Sequence, residues 1–112
     1  MLLSYPQLSE FAEKTGIRYQ TLVADGAPRK NSLDIWKAPT EEDLADIQSL
    51  LNQQHELFRS VVNAGRSRQL ASAGTSLDTV TNGQVWLGAE ARRLGLVDKV
   101  GFIDDAYAAA AT

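Results

Sequence analysis

Asn82-Gly83-Gln84-Val85-Trp86-Leu87-Gly88-Ala89-Glu90-Ala91-Arg92-Arg93-Leu94-Gly95-Leu96-Val97-Asp98-Lys99-Val100-Gly101 changes local geometry several times within one short stretch. Asn82-Gly83 is a turn dipeptide, and Gln84 to Leu87 after it read as a short strand. Gly88 to Gly95 then reads as a short helix bounded by glycines, which suit positive φ or a close approach at its ends. Ala89 and Ala91 are small enough to let that helix lie tight on a sheet, while Leu94, Leu96 and Val97 supply core. Leu96 to Gly101 gives a second short strand and turn. Asp98 is placed to cap or brace that turn, a catalytic carboxylate being the alternative. Short strands alternating with short helices predict an α/β fold rather than a bundle.

Downstream, Phe102 to Ala111 predicts a closing helix opened by Asp104-Asp105. Upstream, Arg66 to Thr81 carries little pattern beyond one short helix around Arg68–Ala73. Before it stands the clearest local signal in the chain. Thr40 can cap a helix, Asp43 sits three residues on, and Glu41, Glu42 and Asp43 complement the helix dipole. Leu44, Ile47, Leu51, Phe58, Val61 and Val62 then recur at three- and four-residue steps, with Leu50 and Leu57 widening the stripe. The helix is expected to stop at Ala64-Gly65. At roughly 1.5 Å per residue it would exceed about 30 Å, more than so short a chain can cover. Nearer the N-terminus, Gln7 to Lys14 has helical spacing closed by Gly16, and Ile17 to Val23 alternates like a strand. Leu2 and Leu3 read as part of another strand. Between the strand and the Thr40 helix, Ala24 to Pro39 is a long loop, and such loops in compact domains are more often functional than idle.

With 112 residues, the chain is one small domain or part of a larger one. Its 44% hydrophobic and 22% charged content is that of a folded globular protein and argues against disorder. A net charge of -3 argues against nucleic acid as a partner. There is no cysteine, which removes disulfides and thiolate metal sites. His55 alone cannot build a histidine metal site or a His-based relay; beside Gln53, Gln54 and Glu56 it reads as part of a solvated helix face. No cofactor is expected. No run approaches the length of a membrane span, and Met1 to Pro6 lacks the basic and apolar regions of a signal peptide, so the chain is expected to be soluble as it stands.

The Asn82–Gly101 stretch resembles the signature G-x-V-[FYW]-x-G-x-x-A-x-x-x-G-L-V-D-x-[IVL]-G of the signal-peptide-peptidase A family of serine proteases and their phage capsid-maturation relatives. Related wording occurs across the wider ClpP/crotonase superfamily. A second segment, Gly26-Ala27-Pro28-Arg29-Lys30-Asn31-Ser32-Leu33, is similar to the family loop whose G-x-x-K element carries the general base. Here the gap from glycine to lysine is one residue longer. Lys30 to Leu33, followed by Trp36 and Pro39-Thr40, looks closer to the phage-type members.

The resemblance implies a ClpP/crotonase-like α/β fold, of which these residues would be the C-terminal part of a single Ser-Lys peptidase domain. It implies that Lys30 is the general base, with Arg29 and Lys37 as the other lysine-loop candidates. Lysine is protonated at neutral pH unless burial disfavours the ammonium. A neutral amine beside a serine hydroxyl can take its proton. Without such a pocket Lys30 is an ordinary solvated charge. Trp36 either packs or lines a substrate groove, and Trp86 is expected to pack.

Family members place the serine upstream in a small-residue turn. Ser4, Ser9, Ser32, Ser49, Ser60, Ser67, Ser72 and Ser76 show no such setting, so the half of the domain with the nucleophile is expected to lie elsewhere and this chain to be inactive alone. The implied partners are a peptide or protein substrate, that missing half, and copies of the chain in a homo-oligomer. The implied parent is membrane-anchored and bacterial, or cytoplasmic and phage-encoded. Two other readings stay open. One is a non-catalytic assembly module built on the long helix. The other is a fragment of a crotonase-type acyl-CoA enzyme, which would need oxyanion-hole glycines upstream.

Overall fold

Thr40 and Asp43 decide where the longest element begins. The Asp43 carboxylate accepts from the Thr40 backbone N–H at 3.1 Å and the Thr40 hydroxyl accepts from the Asp43 N–H at 3.1 Å, a reciprocal capping box. In the computed structural model, which describes residues 1–112, this box opens α2, Glu41–Ser72. The other helices are α1 (Ser9–Thr15), α3 (Leu77–Val80), α4 (Gly88–Leu94) and α5 (Ile103–Ala110), and no residue pairs into a strand. No helix is long and apolar enough to cross a membrane. The chain divides into two compact units, Met1–His55 and Glu56–Thr112.

In the first unit, α1 ends where Gly16 takes φ 74° and the N–H of Ile17 returns to the carbonyl of Ala12 at 3.0 Å, the left-handed stop expected of that glycine. Ala12 is its one buried residue. The helix is tied to the long loop by the Leu8 N–H donating to Ile35 O at 2.6 Å and by the Gln7 side-chain amide donating to Lys37 O at 2.7 Å. The loop itself winds through consecutive turns, with N–H groups of Ala27, Lys30, Ser32, Asp34 and Lys37 each donating to the carbonyl three residues back. Ile17 to Val23 is exposed throughout and forms no ladder. Its alternating pattern suits a sheet, but a strand exists only against a neighbour, and these residues supply none. The same holds for Leu2-Leu3, Gln84–Leu87 and Leu96–Val100.

In the second unit Leu70, Val80 and Leu94 form the core, with Val62, Leu77, Trp86 and Leu96 packed against it. This explains why α2 does not stop at Gly65. A glycine inside a helix costs about 1 kcal/mol relative to alanine. Leu70, carried into the core one turn later, returns about 1.5–3 kcal/mol by burial. The Arg68–Ala73 region is thus the last turns of α2. The stop comes at Gly74, φ 67°, where the Thr75 N–H donates to Leu70 O at 2.9 Å. Ser76 then caps the short α3 by accepting from the Thr79 N–H. Asn82 accepts from the Gln84 N–H at 2.9 Å with Gly83 at φ 90°, which makes the expected turn. Trp86 packs as expected, with its indole N–H buried and unpartnered. Helix α5 is opened by Asp105, which accepts from the Phe102 N–H at 2.8 Å, and every residue from Gly101 to Thr112 is exposed.

Candidate active-site loop

Two adjacent basic residues, Arg29 and Lys30, sit in the Ala24–Pro39 loop, and the structure treats them differently. The Arg29 guanidinium faces the first turns of α2. It pairs with Glu42, with Asp43 at 3.6 Å, and with Asp46. Partial burial works against its charge, but the hydrogen bond to Glu42 and the charges of Asp46, Glu42 and Asp43 outweigh that. Its pKa is raised above the ordinary arginine value. The acids sit on α2 at positions 42, 43 and 46, so one helix face presents them together. Their place at the helix N-terminus is itself favourable.

Asp43 is the inner member of this cluster, at 7% exposure. The hydrogen bond from the Thr40 backbone N–H holds its carboxyl below the usual range. Burial opposes this; the Thr40 hydroxyl, Lys37 and Arg29 reinforce it. The loop is therefore clamped onto the start of α2 through Arg29.

Lys30 is exposed, and its side-chain amine takes part in none of the chain's hydrogen bonds or ion pairs; only its backbone N–H is engaged, donating to Ala27 O at 3.2 Å. The dry pocket that a basic lysine needs is not built by these residues. Lys37, the third candidate, is exposed, with its carbonyl occupied by Gln7. Of the three, Arg29 is fixed in structure, and Lys30 is the cation next to the clamp.

Further along the loop, Asp34 accepts from the Trp36 N–H at 2.9 Å through one oxygen and from the Thr21 hydroxyl at 2.8 Å through the other. The Trp36 ring stacks on Tyr19, with centroids 5.0 Å apart and planes at 22°. Trp36 is half-buried and Tyr19 exposed, so the pair pins the loop to the Ile17–Val23 segment and leaves aromatic surface uncovered.

Of the serines, Ser32 lies in the loop itself, half-buried, with its backbone N–H donating to Arg29 O at 3.3 Å. Ser49 accepts from the Gln53 amide, Ser60 donates to Leu57 O, and Ser76 is the α3 cap. His55 is half-buried in α2 rather than fully solvated. Asp98, expected to brace its own turn, instead accepts from Arg66 at 3.0 Å, and Arg66 also donates to Gly95 O at 2.8 Å. The Asp98 contact joins the segment after the glycine-bounded helix to α2 across 32 residues of sequence. Both the Arg29 clamp and the Arg66 brace escape sequence reading, because each depends on which helix face meets which loop.

Comparison with known proteins agrees with the motifs. The family model for "Peptidase family S49" matches residues 1–112. "Putative protease slr0021" of Synechocystis is 30% identical over 112 residues, which is 100% of this chain and 38% of that protein. "Putative protease SohB" of Buchnera aphidicola is 27% identical over 105 residues, 94% of this chain and 28% of its own length. "Protease 4" of Haemophilus influenzae is 36% identical over 70 residues, 62% of this chain and 11% of its own length. The chain thus spans well under half of each relative.

Proposed function

The chain belongs to peptidase family S49, and on that premise we propose that it is the lysine-bearing part of a serine endopeptidase that uses a Ser-Lys dyad. The observation that carries the reading is the division of labour between Arg29 and Lys30. The clamp to Glu42, Asp43 and Asp46 fixes the loop on the capped start of α2 and leaves the neighbouring amine uncommitted. In this reading the serine lies in polypeptide outside these residues. That polypeptide also supplies the strands against which Ile17–Val23, Gln84–Leu87 and Leu96–Val100 pair, in a single domain of ClpP/crotonase-like α/β type.

Docking of that part covers Lys30, and desolvation favours its neutral amine. The amine takes the proton of the serine hydroxyl as the oxygen attacks the scissile carbonyl. The resulting ammonium returns the proton to the leaving amine, and a water repeats the cycle on the acyl-enzyme. In this reading Trp36, half-buried and stacked on Tyr19, borders the substrate. The substrates are peptide bonds in spent signal peptides or in phage capsid or scaffold proteins.

The test is substitution in the complete protease. Lys30→Ala should lower kcat by about 10²–10⁴-fold or more with the helical circular dichroism intact. Arg29→Ala and Lys37→Ala should each cost less. If either abolishes turnover while Lys30→Ala does not, the base is misassigned. The 112-residue chain alone should resist labelling by a serine-directed phosphonate; labelling at any of its serines would end the reading of a missing nucleophile.

A further inference from the structure

The unit Glu56–Thr112 contains the arginines Arg59, Arg66, Arg68, Arg92 and Arg93. Arg59 pairs with Glu56 and Asp78, Arg66 with Asp98, and Arg93 with Glu90. Arg68 and Arg92 take part in none of the unit's ion pairs, although 24 residues separate them. Both are exposed and line the same shallow, open groove, of about 480 Å³, together with Arg66, Ser72, Val97 and Asp98. An acidic partner would be expected beside such a pair, because like charges brought to one concavity repel each other. The carboxylate of Asp98 is already matched by Arg66, so the groove keeps an uncompensated charge of two guanidinium groups.

The groove is also built on fixed elements. Gly95 comes so close to α2 that a Cβ there would lie 2.6 Å from Gln69 O. The Arg66 guanidinium, at 20% side-chain exposure, spans from Gly95 O to Asp98 and sets the distance between α2 and α4.

We propose that this groove is a binding site for an acidic polypeptide segment, held through side-chain carboxylates on Arg68 and Arg92. The guanidinium fork matches a carboxylate in two parallel hydrogen bonds. The Ser72 hydroxyl can add a donor, and Val97 offers apolar surface to the stems of glutamate side chains. The site does not depend on Lys30 acting as a base, so it stands or falls apart from the peptidase reading.

The experiment is fluorescence anisotropy of the purified protein with a labelled peptide alternating Glu and Gly, beside its Gln-for-Glu counterpart. The Glu peptide should bind more tightly, and more weakly as salt rises. The double variant Arg68→Ala/Arg92→Ala should lose about three- to tenfold in affinity for it, the scale set by two partly exposed ion pairs. Arg18→Ala/Lys99→Ala, which removes the same charge outside the groove, should bind as the unmodified protein does. Equal binding of the two peptides, an unaffected Arg68/Arg92 variant, or an equal loss in the Arg18/Lys99 control would overturn the site.

Discussion

At Gly95 two constraints meet on one residue. Its φ is 90°, a region that side chains other than glycine enter at a cost of about 1–2 kcal/mol, and an added Cβ would sit 2.6 Å from the Gln69 carbonyl oxygen. Gly74 has φ 67° but open space around its missing Cβ. Gly74→Ala should therefore cost only the conformational part, about 1–2 kcal/mol. Gly95→Ala should cost about 1–3 kcal/mol more, because helix and loop must separate. Urea unfolding of the two variants side by side measures the difference, and equal costs would mean that α4 has room to shift. The need for glycine at the ends of α4 was legible from spacing alone. The partner of Asp98 was not, because Arg66 lies 32 positions away and only the packing of α2 on α4 joins them. Lys30 stood out by its place in the loop, whereas the commitment of Arg29 to three acids followed only from the face of α2 that the loop meets.

At the scale of elements, α2 shows what local sequence can and cannot specify. Its start was readable because Thr40 and Asp43 satisfy each other's backbone within four residues. Its end was not, since the burial of Leu70 against Val80 and Leu94 carries the helix through Gly65. The segments with strand-like alternation remain without ladders for the corresponding reason: pairing is non-local, and alternation alone names no neighbour.

The start of α2 should also be pH-dependent. Asp43 titrates below its ordinary range through its bond from the Thr40 N–H. Its contribution to stability is complete above the unfolded carboxyl's pKa of about 3.9. It is lost as pH falls through the lower folded value. Acidification below about pH 4 should thus lower the urea midpoint followed by helical circular dichroism. Asp43→Asn should begin less stable at neutral pH, having lost the charge that the helix N-terminus and Arg29 favour, and should lose less on acidification. A variant with the same acid dependence as the unmodified chain would place the titrating group elsewhere.

For the whole molecule, accessible surface is the quantity that decides. Buried hydrophobic residues are confined to Ala12, Leu70, Val80, Ala91 and Leu94. Meanwhile Val85 is 88% exposed, Leu87 83% and Phe102 86%, with Leu57, Val61, Ile103 and Tyr107 also in solvent. Uncovered apolar surface on this scale favours association, and the unpaired strand-like segments add backbone groups open to pairing. In the complete protease, the rest of the domain and neighbouring copies are proposed to cover these faces. The isolated chain has only other copies of itself. It should therefore self-associate at micromolar concentration, through the exposed residues of α2 and α5 or by edge pairing of the Ile17–Val23 segment. Sedimentation velocity over a concentration series measures this directly: the weight-average coefficient should rise with concentration. Leu57→Glu combined with Val61→Glu should shift the distribution towards monomer if α2 is the contact. A concentration-independent monomer with the frictional ratio of a well-packed protein would show that these residues bury their own apolar surface without help.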